Sequence, residues 1–220
     1  EFAAYALERG VHFPQGHLWL TVDICAENQA EVIDDLKRWL DLYLATGVKA
    51  GVLHPGGNQM RRQQQSPAAV LDTQTQALGQ LCTHLQGTDF TLCLENVPGT
   101  PEVEQLLSII KAVDSPRLGI CLDTGNLNMA GGDQGHFLRQ AGDRLKAMHL
   151  ADNEGKTDQH MMPFGRGNVD WSAVIGGLKA LRYEGLLNLE IPGESKAPLP
   201  VLLAKLDYLQ VLMRYLVEDA

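Results

Sequence analysis

Short apolar runs alternate with longer stretches of helical periodicity along most of this chain. Val48–His54 (VKAGVLH), Phe90–Glu95 (FTLCLE), Leu118–Asp123 (LGICLD), Leu145–Leu150 (LKAMHL) and Leu186–Ile191 (LLNLEI) are near-continuous apolar segments. They predict strands buried on both faces, where strict polar–apolar alternation is not needed. Val11–Pro14 is a shorter and weaker candidate of the same kind. The segments between them carry helix signals. Asn28 precedes Val32, Ile33, Leu36, Leu40 and Leu44 at helical spacing, and Gly47 stops the pattern. Ser66-Pro67 and Thr100-Pro101 each place a capping hydroxyl before a proline that suits the first helical turn. Asp170 opens a helix carrying Val174, Leu178 and Leu181, and a last helix is expected from about Pro200 to Leu216. Phe2–Arg9 reads as the end of a helix, with Gly10 as its stop.

Strands alternating with helices of this length imply βαβ units and a parallel sheet. Six strands are visible, whereas a closed barrel of this kind needs eight. The whole chain, residues 1–220, is therefore expected to form one α/β domain, a TIM (β/α)₈-type barrel lacking its first two β/α units. A shortened chain or completion by another chain would account for the gap. The open edge makes a homo-oligomer one way to cover it.

Composition changes the picture mainly by exclusion. The chain is 45% hydrophobic and 20% charged, as ordinary globular proteins are. No apolar run approaches the ~20 residues that cross a bilayer, and the charged start does not resemble a signal peptide. A formal net charge of -9 argues against a nucleic-acid partner, because phosphate binding rests on Lys and Arg. Cys25, Cys82, Cys93 and Cys121 show no CxxC spacing and read as reduced, buried thiols of a cytoplasmic protein.

The chemistry lies at the strand ends. His54, Glu95, Asp123, His149 and Glu190 each stand late in an apolar run, at the C-terminal end of five successive strands. Burying one charged group there costs several kcal/mol unless it is paired or coordinated. One such residue could be a satisfied core group, but five at matching positions point to a shared site. In parallel α/β folds the C-terminal strand ends form the binding face. Side chains two apart share a face, so Val52, Cys93, Cys121, Ala147 and Asn188 should fill the interior below the site, and Leu92, Leu94, Ile120 and Leu122 should face the helices. Glu95, Asp123, His149 and Glu190 form an oxygen-rich set with one imidazole. It suits one divalent ion, Mn²⁺ or Mg²⁺, and tolerates Co²⁺ or Zn²⁺. The long stretch from His149 to Trp171, dense in Asp, His and Gly, reads as a functional loop.

At these residues the chain resembles the xylose isomerase-like barrel superfamily, which includes sugar-phosphate isomerases and epimerases and the AP-endonuclease family 2 proteins. The pieces are HPG at His54, LEN at Glu95, CLDTGN at Asp123, MHLADN at His149, DxH at Asp158 and His160, GRGNVDW at Gly165–Trp171 and LEI at Glu190. The resemblance implies metal binding by Glu95, Asp123, His149 and Glu190, with the two glutamates as acid/base pair. It places His17 and His54 where a substrate or metal histidine often lies. Two departures stand out: Asn126 occupies a position where the family commonly has His, and Arg166 one where Glu is common. Asn is a poor zinc ligand, which weakens a multi-zinc endonuclease reading. The expected function is an isomerase or epimerase of a small polyhydroxy or phosphorylated sugar, acting through an enediolate. His17, His54, Asn126, Asp158, His160 and Arg166 would contact the substrate, and Arg61 and Arg62 are further cations near the site. The alternatives are a metal-dependent phosphodiesterase of AP-endonuclease type and a non-catalytic relict barrel.

Overall fold

The computed structural model describes residues 1–193 and 196–218. Strands β1 (Gln15–His17), β2 (Ala50–Leu53), β3 (Thr91–Glu95), β4 (Leu118–Asp123), β5 (Leu145–Leu150) and β6 (Asn188–Leu189) form one parallel sheet in chain order. Helices α1 (Phe2–Leu7), α2 (Gln29–Thr46), α3 (Asn58–Arg62), α4 (Pro67–His84), α5 (Val103–Val113), α6 (Thr124–Met129), α7 (Gln134–Ala141), α8 (Trp171–Leu181) and α9 (Leu199–Glu218) supply the crossovers and flanks. The sheet curls into an open half-barrel. The Gln15 side chain of β1 reaches across the interior and donates to the Met148 carbonyl of β5 over 3.2 Å. Among the described residues β1 pairs only with β2, and β6 only with β5.

The helix ends follow local chemistry. Ser66 Oγ accepts from Ala69 N at 3.2 Å, and Asp170 Oδ1 from Ala173 N at 2.9 Å. Gly47 closes α2 in the left-handed region at φ 84°, where glycine carries no Cβ penalty. Thr100 does not cap α5 as expected. Its hydroxyl accepts from Arg61 Nη2 at 3.1 Å, and α5 starts at Val103 instead, with Gln105 accepting from Glu102 N. Another correction concerns the first strand, which lies at Gln15–His17 and not Val11–Pro14. Proline has no N–H for the ladder, so Pro14 only accepts, from Lys49 N and Ala50 N. Gly16 is needed there, because a Cβ would sit 2.8 Å from the Tyr43 ring. The expected strand at Leu186–Ile191 shrinks to its two central residues at the sheet edge.

The core has two compartments. Leu92, Leu94, Ile120 and Leu122 pack outward against the helices, as the alternation predicts. Val52, Cys93, Cys121 and Ala147 fill the barrel interior, with Ala50 below them. The ladder between β4 and β5 shifts by one residue: Ile120 pairs with Leu145, but Cys121 pairs with Ala147. The extra residue is Lys146. Its side chain turns inward with Ala147, and a Cβ on Gly119 would meet its Cγ at 2.7 Å. Above this bulge Asp123 pairs with His149, so both side chains point into the mouth.

Candidate functional site

The C-terminal strand ends converge as their positions in the apolar runs require. Glu95 ends β3, Asp123 ends β4, His149 lies one residue from the end of β5, and Glu190 follows β6 directly. Glu95, Asp123 and His149 are almost wholly buried, whereas the Glu190 side chain keeps 33% of its exposure. One donor atom from each of these four residues lies within 4.8 Å of the other three. That is close to the span of ligands on opposite sides of one ion at about 2.0–2.2 Å. Carboxylates crowded this closely repel one another unless protons or a cation lie between them.

The carboxylates are bridged by an imidazole. His149 Nδ1 lies 2.7 Å from Glu95 Oε1 and 3.3 Å from Glu190 Oε2. Burial works against its charge, but the two glutamates outweigh it and push the imidazole up to about 10. Glu95 is opposed by burial, yet hydrogen bonds from His149, His17 and His54 hold its carboxyl well below the usual range. Asp123 goes the other way. Burial and the neighbouring Glu95 charge push it well up, against the Asn126 N–H that its Oδ1 accepts at 2.7 Å. Three carboxylates and one imidazole with their ligand atoms this close together suit a divalent ion.

Glu95 is also the centre of a second cluster. Its Oε2 lies 3.2 Å from His17 Nε2 and 3.2 Å from His54 Nε2, and these three donors are again within 4.8 Å of one another. Cys121 Sγ also lies within 4.8 Å of donor atoms of Glu95 and His149. Burial and the nearby carboxylates push its thiol well above the ordinary range, so it remains a protonated interior filler.

A cavity of about 520 Å³ opens above the site. His54, Asn126, Asp158 and His160 line it, together with Glu95, Asp123 and Glu190. His160 sits in the left-handed region at φ 45°. It bonds the Glu190 carbonyl through Nδ1 at 2.7 Å and faces Asp158 Oδ2 through Nε2 at 2.9 Å. This ties the long loop after β5 to the end of β6. Arg166 stands apart from the cavity: its side chain is 74% exposed and lies 3.8 Å from Glu154. Arg61 is held by the Gly56 carbonyl, Asn58 Oδ1 and Thr100 Oγ1, so it braces loops and does not point at the site. Arg62 is exposed and also lies outside the lining.

Several site residues escape a reading of strand ends alone. Asn96 is fully buried and grips the Asp123 backbone from both sides, donating to its carbonyl at 2.9 Å and accepting from its N–H at 2.7 Å. Asp23 Oδ1 accepts from Cys25 N and Gly57 N, joining the loop after β1 to the HPGG loop. The only signal for Asn96 is a polar residue directly following Glu95. Asp23 has none, since its role depends on two loops far apart in sequence.

Comparison with known proteins places the fold. The model of the xylose isomerase-like TIM barrel family matches residues 1–212. A solved structure described as a D-tagatose 3-epimerase-like protein superposes with a TM-score of 0.81 at 20% identity, covering 99% of this chain and 83% of that one. A D-psicose 3-epimerase of Enterocloster bolteae is 26% identical over 87 residues, 40% of this chain and 27% of its own length. A protein of Escherichia coli K12 provisionally named L-ribulose-5-phosphate 3-epimerase SgbU is 37% identical over 93 residues, 40% of this chain and 32% of its own. A probable endonuclease 4 of Mycoplasma pneumoniae is 34% identical over 116 residues, 48% of this chain and 37% of its own. The chain matches these and other curated relatives over 24% to 43% of their own lengths. Among the described residues, no helix is long and apolar enough to cross a membrane. With a family match spanning nearly its whole length, the chain belongs to the xylose isomerase-like TIM barrel family.

Proposed function

We propose that the protein is a metal-dependent sugar isomerase or epimerase of the cytoplasm, with Glu95 and Glu190 as its acid/base pair. The observation that carries the reading is the convergence of Glu95, Asp123, His149 and Glu190 on one point at the floor of a cavity of sugar-binding size. These four residues would hold one divalent ion, Mn²⁺, Mg²⁺, Co²⁺ or Zn²⁺, and when bound it would supply Lewis-acid polarisation of a carbonyl and the neighbouring hydroxyl. Glu95 and Glu190 both line the cavity and arrive from β3 and the end of β6, so they can flank a substrate carbon. One glutamate removes the proton next to the carbonyl, giving an enediolate, and the other returns a proton at the adjacent carbon or on the opposite face. Glu95 is held ionised by three histidines, so it is in the form a base requires, though the same hydrogen bonds make it a weaker proton acceptor than a free glutamate. His54, Asn126, Asp158 and His160 offer donors and acceptors to substrate hydroxyls, and His17 steadies Glu95 from below. Asn96 fixes the backbone of Asp123, and His160 fixes that of Glu190.

The test is solvent-deuterium uptake. With Mn²⁺ supplied, the protein should catalyse deuterium incorporation from D₂O into at least one ketose, and a chelator should abolish it. No uptake into any ketose across the four metals would sink the reading.

A second reading rests on the His17–His54–Glu95 cluster, which could hold a further ion beside the first. That would favour metal-assisted phosphodiester hydrolysis of the kind implied by the endonuclease relative. Elemental analysis separates the two. One ion per chain is expected for the isomerase or epimerase. Two or three, with cleavage of an abasic DNA substrate, would replace it.

A further inference from the structure

The charge of the cavity narrows the substrate class, in an inference that rests on the isomerase or epimerase reading. We propose that the site takes uncharged sugars and rejects their phosphate esters. Five carboxylates line the cavity, from Asp23, Glu95, Asp123, Asp158 and Glu190, and among the described residues no Lys or Arg lines it. One divalent ion would balance two of those charges, so the cavity stays unfavourable for an added dianion.

Two backbone N–H groups at turns facing the cavity are already committed to the protein's own carboxylates. Backbone N–H groups at a helix start are the common anion site of such folds. Here Gly57 N donates to Asp23 Oδ1 at 2.8 Å, and Asn126 N donates to Asp123 Oδ1 at 2.7 Å. A carboxylate of the protein thus sits where a phosphate oxygen would sit, at both turns facing the cavity. The Arg61 guanidinium is engaged by Gly56, Asn58 and Thr100. The two histidines at the rim face carboxylates as well: His54 faces Glu95 at 3.2 Å, and His160 faces Asp158 at 2.9 Å. The rest of the wall carries apolar Leu20, Val22, Val97 and Met129 beside the neutral polar Thr21 and Asn58. Such a wall suits the C–H face of a sugar, while carboxylates and amides take its hydroxyls.

The discriminating experiment measures binding separately from turnover. D-fructose, D-tagatose and D-psicose are titrated calorimetrically against the same sugars carrying a 6-phosphate, using both Mn²⁺-supplied and metal-free protein. At least one free ketose is expected to bind about tenfold or more tightly than its phosphate. The preference should shrink as salt rises, because screening weakens the repulsion. It should also shrink in Asp158→Asn, which removes one carboxylate from an exposed position. A phosphate that binds as tightly as its free ketose overturns the proposal, and so does the absence of binding by every free ketose. Deuterium uptake on the same samples judges the parent reading. A free ketose that binds preferentially without exchanging its proton leaves charge selection standing and removes the epimerase assignment.

Discussion

Glu190→Gln is expected to lower deuterium uptake into the substrate ketose by about 10²–10⁴-fold, the usual worth of a positioned acid or base. The loss should fall on kcat, with KM changed far less. Gln keeps the size and hydrogen-bonding reach of Glu but cannot accept a proton at neutral pH. Glu190 is the better residue to test of the pair for a structural reason. Its side chain is one-third exposed, and it joins the cluster from the sheet edge. Glu95 is buried and faces three histidines, so Glu95→Gln would disturb the site and the packing together. Removing the Glu190 charge also weakens the ion site. Exchange is therefore compared at saturating Mn²⁺, with metal content measured on the same sample. Full exchange by a metal-loaded Glu190→Gln protein would end the two-carboxylate proposal.

The second large effect concerns stability. Asp152→Ala is expected to cost about 3–5 kcal/mol, because several buried N–H donors lose their acceptor at once. Asp152 is 1% exposed and stands just past β5. Its Oδ1 accepts from Asn153 N at 2.9 Å and Val169 N at 3.0 Å, and its Oδ2 accepts from Trp171 Nε1 at 2.9 Å. Removing the carboxylate leaves three buried donors unpaired, each costing about 1–3 kcal/mol before relaxation. In a chain of this size the midpoint of thermal unfolding should fall by roughly 10 °C. These bonds also close the loop that carries Asp158 and His160, so limited proteolysis should cut first between residues 153 and 168. Gly167→Ala offers an independent check, since a Cβ there would overlap the Asp152 carboxylate. It should reproduce the loss without removing any charge. A drop of less than about 1 kcal/mol in both variants would show that the loop is held elsewhere.

Much of this was legible in the sequence, for a definite reason. A carboxylate or imidazole at the end of an apolar run is costly, and five such residues in order mark one face of a parallel sheet. The strands carrying Glu95, Asp123 and His149 were plain because they are long and buried on both sides. Gln15–His17 was not: three residues with no apolar signature form a strand only because β2 offers a ladder and Tyr43 packs on Gly16. The Thr100 cap failed because the hydroxyl had a better-placed partner in Arg61, from helix α3, 39 residues earlier. Asp152 looked like one more acidic loop residue. Its partner Trp171 gave a hint, since a buried indole needs an acceptor. Arg166 reads as a site cation in sequence, but the turn of its loop sends it to Glu154 and solvent.

The extra residue at Lys146 has a consequence for aligning relatives. Leu145 faces the helices, and His149 four positions later faces the interior, which simple alternation forbids. Counted upward from Leu145, alternation would place Met148 inside and turn His149 away. The inserted residue reverses the parity within the strand. A family member without the insertion must carry its interior histidine three residues after the corresponding leucine. An ungapped alignment of this strand would then match that histidine to Met148, and a gap at Lys146 is the physically correct choice.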